Sequence, residues 1–263
     1  MLLPPILLHI YGPFFIRAYG FMIVLGIICG GSLLFYDKKR KALISDEQFF
    51  NLVNGSILAT VAGGRIWFLL FNPHTIHHWT DIFAVWQGGL SILGAVIAML
   101  FFVPWFAYKQ NIPLFPFLDR VAIYSPLIQA ISRLGCLFAG CCHGISCNLP
   151  WAITYTDPES LAPLNLALHP TQLYSSALLL ILFVALYKAQ NKVKFAGALF
   201  SMYIIGISFE RFFVDFFRGD QELTAVSYHF FNFSVQQMTS LALATGAIAL
   251  LFYIKKRQKY ESI

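Results

Sequence analysis

Charge is what this sequence has least of. Of its 263 residues, 11% are charged and 58% are hydrophobic, where a soluble globular chain carries about 25% charged residues. That scarcity excludes a water-facing shell around one large core and makes a bilayer the expected surrounding. The length then reads as one polytopic membrane domain, 1–263, rather than two soluble ones. The opening MLLPPILLHIYGPFF has no basic residue before Arg17, so a cleaved signal peptide is not expected. No internal repeat and no low-complexity tract interrupts the chain.

What is present in abundance is apolar runs. Seven are long enough, at ~20 residues each, to cross ~30 Å of hydrocarbon as helices. They fall near 16–36, 48–71, 88–108, 114–139, 170–187, 195–217 and 233–254. The expected fold is therefore an all-α integral membrane protein of about seven transmembrane helices. Residues 140–169, between spans four and five, form the one sizeable hydrophilic insertion and are expected to make a small outer head. Within it, Trp151–Tyr155 alternates and reads as a short strand. Asp157-Pro158 reads as a turn.

The net charge of +6 would suggest nucleic acid if it were concentrated in one patch, but its distribution says otherwise. Lys38, Lys39 and Lys41 follow the first span and Lys109 the third. Lys188, Lys192 and Lys194 follow the fifth; Lys255, Lys256 and Lys259 follow the seventh. Every lysine thus falls on one side of a seven-span chain. The positive-inside rule makes that side cytoplasmic, with the N-terminus outside and the C-terminus inside. Nucleic acid is not an expected partner; anionic membrane lipid is.

The arginines follow a different pattern. Arg40 and Arg257 join the lysines, but Arg17, Arg65, Arg120, Arg133, Arg211 and Arg218 lie in spans or at their ends. Placing Arg mid-membrane costs roughly +2.5–3.5 kcal/mol on insertion scales. Arg17, Arg120 and Arg218 are divided between snorkelling and function. Arg133 and Arg211 point to a polar cavity, where a guanidinium matches a phosphate bidentately. In FERFFVDFFRGD, Arg211, Asp215 and Arg218 share one helix face; they form either a self-satisfied pair or a functional face.

Three further stretches stand out. VWQGGLSILG (Val85–Gly94) opens the third span; Gly88, Gly89 and Gly94 permit close approach of a helix or a ligand, and Trp86 suits an interfacial anchor. LHPTQLY opens the fifth span with Pro170 in the first turn. It places Thr171 and Gln172 at the outer surface and leaves His169 as a cap-region or site residue. SRLGCLFAGCCHG (Ser132–Gly144) gathers Arg133, Cys136, Cys141, Cys142 and His143, with Cys147 just beyond. Its C-x₄-C-C-x₄-C spacing is a poor zinc ribbon, so no metal site is expected. A disulfide from Cys136 or Cys141 to Cys147, or simple packing as small hydrophobes, stays open. Cys29 sits alone in the first span and reads as core.

These motifs, in this order, resemble the prolipoprotein diacylglyceryl transferase family. The matching stretches are RAYGFM (Arg17–Met22), GGRIWFLLF (Gly63–Phe71), VWQGGLS, SRLGCLFAGCCHG, HPTQLY (His169–Tyr174) and ERFFVDFFR (Glu210–Arg218). The resemblance implies a bacterial inner-membrane transferase that moves the diacylglyceryl group of phosphatidylglycerol to the lipobox cysteine thiol of a preprolipoprotein, with no cofactor. It implies that Arg133 and Arg211 hold the phosphate and that Tyr19 is the family's first-span tyrosine. Gly88, Gly89, His169, Gln172 and Arg218 complete the expected lipid site. The chain departs from the family's usual pattern at Leu93, where a third-span histidine is usual. It also departs at Cys136, Ala139 and Cys141, which replace two asparagines and an acidic residue. Either catalysis does not need that histidine, or His143 or His169 supplies the base, or the reaction has changed; His143 is the first candidate, since an imidazole of pKa ~6.5 accepts a thiol proton at neutral pH. The residues also fit a related enzyme acting on another lipid or acceptor, or a non-enzymatic lipid-binding or thiol/metal-handling membrane protein.

Overall fold

The computed structural model describes residues 6–11, 14–73, 79–84, 89–219 and 233–261. Helices dominate: α1 (Ala18–Tyr36), α2 (Lys38–Lys41), α3 (Asp46–Phe71), α4 (Ile92–Lys109), α5 (Leu114–Ala139), α6 (Thr171–Ala189), α7 (Ala198–Asp215) and α8 (Val235–Glu261). Six of them, α1, α3, α4, α5, α6 and α8, are long and apolar enough to cross a membrane. The chain is a multi-pass helical membrane protein. Helix α7 has the length, at 18 residues, but carries Glu210, Arg211 and Asp215, which sets it apart from the lipid-compatible helices.

The all-helical expectation is amended by two small antiparallel sheets. β1 (Ile6–Tyr11) pairs with β2 (Phe14–Arg17), Ile6 opposite Arg17 and Tyr11 opposite Phe14. The sequence signal was there, two β-rich runs around Gly12-Pro13, but it was masked by continuous hydrophobicity. β3 (Ile153–Thr154) pairs with β4 (Ala167–Leu168), inside the segment read as a strand. The third span also starts later than expected. Ser91 sits at the N-cap of α4, and Gly89 lies before the helix at φ +71°, a conformation that favours glycine and suits a turn rather than a helix opening.

The chain divides into two compact units, Phe35–Phe117 and the remainder. In the first, α3 packs on α4. Its start is fixed by a capping box in which Ser45 Oγ accepts from Gln48 N–H while the Gln48 side chain accepts from Ser45 N–H. Arg40, read as one of a basic cluster, is fully buried. It bonds the Phe35 and Ile44 carbonyls and Asp46 Oδ1 (2.8 Å), and lies over the Phe35 and Phe49 rings.

The second unit holds α1, α5 from Leu118, α6, α7 and α8. α1 meets α5 through Gly26 and Gly30, one turn apart. A Cβ on Gly26 would lie 2.8 Å from the Ile128 carbonyl oxygen and one on Gly30 2.3 Å from Ile128 Cγ1. This is the small-x₃-small contact that packs helices where lipid removes any hydrophobic drive between them. Ser176 Oγ donates to the Ala130 carbonyl (3.0 Å), tying α6 to α5. α7 packs on both α6 and α8. Its N-terminus is capped from α5, where the Asp119 carboxylate accepts from Gly197 N–H (2.7 Å) and Phe200 N–H (2.8 Å).

Candidate functional site

The site builds up from the turn that follows α5. Gly140 and Cys142 both take positive φ, +75° and +57°. Glycine does so freely, but a cysteine there is uncommon. The turn is held from α6. Thr171 Oγ1 donates to the Cys142 carbonyl (2.6 Å) and Gln172 Nε2 to the Cys141 carbonyl (2.8 Å). Both side chains are buried, at 1% exposure. Thr171 and Gln172, expected at the outer membrane surface, turn their polar groups into the protein. Their reach is inward because buried carbonyls of a tight turn need donors.

Beyond the turn the backbone is threaded between α6 and the end of α7. Gly144 N–H donates to the His169 carbonyl, Ile145 N–H to the Phe217 carbonyl and Gly219 N–H to the His143 carbonyl, at 2.9–3.1 Å. A Cβ on Gly144 would sit 2.4 Å from His169 Cβ and 2.7 Å from the Phe217 carbonyl oxygen, so only glycine allows this approach. Three of the singled-out motifs meet here. The His169 ring bonds the Tyr174 hydroxyl through Nδ1 (3.1 Å) and packs on Phe217. His169 therefore uses its backbone for the turn and its ring for an aromatic cluster. Tyr155 donates to the Leu137 carbonyl (3.0 Å), and burial pushes its phenol up to about 12, keeping it a donor at neutral pH.

Three thiols converge. The sulfurs of Cys136, Cys141 and Cys142 all lie within 4.8 Å of one another. All five cysteines are free thiols, so of the two readings left open the bridge to Cys147 is not formed, and Cys147 does not join the cluster. Hydrogen bonds from the other two sulfurs, then the Arg218 and Arg133 charges, hold the Cys142 thiol below its usual range. Hydrogen bonding and burial push Cys141 up. The phenol of Tyr19, half-exposed on α1, lies within electrostatic reach of all three thiols and of Arg133.

The cations gather in the same unit. Arg211 lies within electrostatic reach of Arg218, Arg133, Asp215 and Glu210. The carboxylates are already engaged. Asp215 Oδ2 accepts from Ser234 Oγ and Glu210 Oε1 from Ser175 Oγ, and the Arg211–Asp215 separation is 4.0 Å. Among the described residues, no carboxylate forms an ion pair with Arg133. Arg133 and Arg211, within electrostatic reach of each other, suit an anion. Sequence reasoning missed Glu210, Ser175 and Asp119; buried acids inside apolar helices were the available signal. His143 is buried, its Nδ1 against the Gly144 carbonyl and its Nε2 without a hydrogen-bond partner among the described residues.

The glycine-rich stretch belongs to the other unit. The Gly89 carbonyl accepts from Arg65 Nη1 (3.2 Å), and Arg65, itself buried, also bonds the Ile82 and Asp81 carbonyls. Gly94 packs against Gly63. Gly88 and Trp86 lie outside the described residues.

The fold and the group of arginines and thiols within one unit define a multi-pass helical membrane protein with a polar site. More particularly, residues 5–253 match the prolipoprotein diacylglyceryl transferase family, and the chain belongs to it. It is 33% identical to a phosphatidylglycerol–prolipoprotein diacylglyceryl transferase of Clostridium tetani over 82% of this chain and 86% of that one. It is 33% identical to a second such transferase, of Clostridium perfringens, over 92% and 91%. It is 30% identical to that of Synechocystis sp. over 96% and 90%.

Proposed function

We propose that the protein transfers the diacylglyceryl group of phosphatidylglycerol to the lipobox cysteine thiol of preprolipoproteins in the bacterial inner membrane. The observation that carries this reading, beside family membership, is that Arg211 and Arg133 lie within electrostatic reach of each other in one unit, with no carboxylate in an ion pair with Arg133 among the described residues. In the reaction the acceptor thiolate attacks the glycerol carbon bearing the phosphate ester. A C–S bond forms, the C–O bond breaks, and glycerol phosphate leaves. Its charge is the one that must be stabilised, and arginines preorganised around the phosphate do so without reorganising during the step. Arg133 and Arg211 hold the phosphate, with Arg218 beside them. Tyr19, close to the thiols and to Arg133, orients the head group. His169 and Gln172 complete the lipid site, supported by their hydrogen bonds to the turn that follows α5 and the backbone just beyond it.

His143 takes the role of proton acceptor, supported by a buried Nε2 that no other group occupies among the described residues. Leu93 leaves the third span without a base of its own. The chain crosses the membrane seven times, α7 included, with residues 140–169 as an outer head of the single domain 1–263. A polar α7 is tolerated in lipid because its charged face turns toward partners inside the protein. Expression of the chain in cells depleted of their own diacylglyceryl transferase tests the function. Restored growth and restored lipoprotein maturation are expected; accumulation of unmodified preprolipoprotein would refute it.

A further inference from the structure

The three sulfurs brought together after α5 have no part in binding phosphate, and their geometry has chemical content of its own. Four features bear on it. The sulfurs of Cys136, Cys141 and Cys142 lie within 4.8 Å of one another. A tetrahedral zinc ion with Zn–S bonds of ~2.3 Å needs sulfurs about 3.8 Å apart, so the cluster needs only a small contraction to close on one. The Cys142 backbone is held in a left-handed conformation that a side chain rarely adopts. The carbonyls of Cys141 and Cys142 are each fixed by a buried side chain of α6, Gln172 and Thr171, so the thiol turn is preorganised rather than slack. The charges of Arg218 and Arg133 fall on Cys142, where they offset the one net negative charge that three thiolates leave on a divalent ion.

We propose that Cys136, Cys141 and Cys142 form a zinc site with an open fourth position, and that this position receives the acceptor cysteine of the substrate. The second half rests on the thiol-alkylating function proposed above. Three protein ligands with one vacancy is the arrangement of a catalytic rather than a structural zinc. Neither His143 nor Cys147 belongs to the group, and among the described residues no fourth one closes it. Cys136 is buried while Cys141 and Cys142 are part exposed, which leaves one side of the cluster accessible. A thiol that coordinates zinc is deprotonated outright. Its S–H proton passes to the base of the proposed reaction. The zinc-bound thiolate then forms the C–S bond to the glycerol carbon as the C–O bond to phosphate breaks and glycerol phosphate departs. Zinc changes neither oxidation state nor count, and it is regenerated when the thioether, a much weaker ligand, leaves. The site thus supplies the thiolate that a third-span base would otherwise generate, in a chain where that position is Leu93.

The test uses the full chain purified in detergent under reducing conditions. Loaded with zinc and desalted, it is expected to retain one zinc per chain by mass spectrometry. Cobalt in place of zinc is expected to show a thiolate-to-metal charge-transfer band of three-thiolate intensity, a readout that needs no variant and no activity. C136S, C141S and C142S should each lose the metal, and C29S and C147S should keep it. Adding a lipobox peptide should shift the cobalt bands, and the same peptide with serine at the acceptor position should not. Stripping zinc should lower transfer at least tenfold, and zinc should restore it. Wild-type protein that retains no metal, or a cobalt spectrum without thiolate character, overturns the site. Metal binding that is indifferent to the peptide thiol, or full transfer by metal-free protein, overturns the open position. The latter result leaves the proposed function standing, and tight zinc binding without any transfer would remove that function instead.

Discussion

Arg211 sits one turn before Asp215 on α7, yet the two are 4.0 Å apart and the carboxylate is also engaged by Ser234. The pair aims the guanidinium more than it neutralises it. Arg133 has no such partner among the described residues. Both are expected to grip a phosphate through two parallel N–H···O bonds, a geometry that a lysine ammonium cannot reproduce. Arg211→Lys and Arg133→Lys should each lower kcat/KM for phosphatidylglycerol by at least about tenfold, or ~1.4 kcal/mol of transition-state stabilisation. Arg211→Ala should lose roughly 10²–10³, as removal of a preorganised charge-stabilising donor typically does. Steady-state transfer to a lipobox peptide, with thermal midpoints to check folding, measures both. Undiminished turnover in Arg211→Ala takes that residue out of the site. The arginines were legible in the sequence because charge inside an apolar run is costly and therefore conspicuous. The grouping of the thiols was not. It depends on backbone handedness at Gly140 and Cys142 and on two α6 side chains, none of which spacing reveals, and it excludes Cys147, whose pairing spacing had left open.

At the scale of elements, α7 is the piece that everything polar hangs on, and it is anchored at its far end from the site. The first N–H groups of a helix have no partner within it. Asp119 on α5 supplies one, meeting two of them with both carboxylate oxygens and placing negative charge at the positive end of the helix dipole. Asp119→Ala should cost about 1–2 kcal/mol, within the range of lost caps. Asp119→Asn, which keeps an acceptor, should cost less. Thermal unfolding in detergent reads both, and an unchanged midpoint in Asp119→Ala would show that the cap is dispensable. Most helices could be read from hydrophobic runs, α5 to the residue (114–139). The failures have physical causes. Continuous hydrophobicity hid the β1–β2 hairpin, because lipid-compatible residues are also β-formers. The glycines before α4 were read into the helix because small residues suit both a helix interface and a turn.

For the whole molecule, the lysines carry the orientation. Lys38, Lys39 and Lys41 come after α1, Lys109 ends α4, Lys188 lies in the last turn of α6 with Lys192 and Lys194 beyond it, and Lys255 and Lys256 lie near the end of α8. By the positive-inside rule the side they mark is expected to be cytoplasmic. A single reporter cysteine replacing Asn191, with other thiols removed, should react with an impermeant reagent only once the cytoplasmic face is opened. Labelling from the intact outer side would invert the topology. The function itself has a more direct test. Purified chain, phosphatidylglycerol labelled in its diacylglycerol part and a lipobox peptide are incubated together. The account predicts that label appears on the peptide in a hydroxylamine-stable thioether as one glycerol phosphate is released per peptide modified, and that a serine-for-cysteine peptide stays unlabelled. Release of glycerol phosphate without peptide labelling, or no reaction in a preparation that supports transfer by a Clostridium perfringens relative, would contradict it.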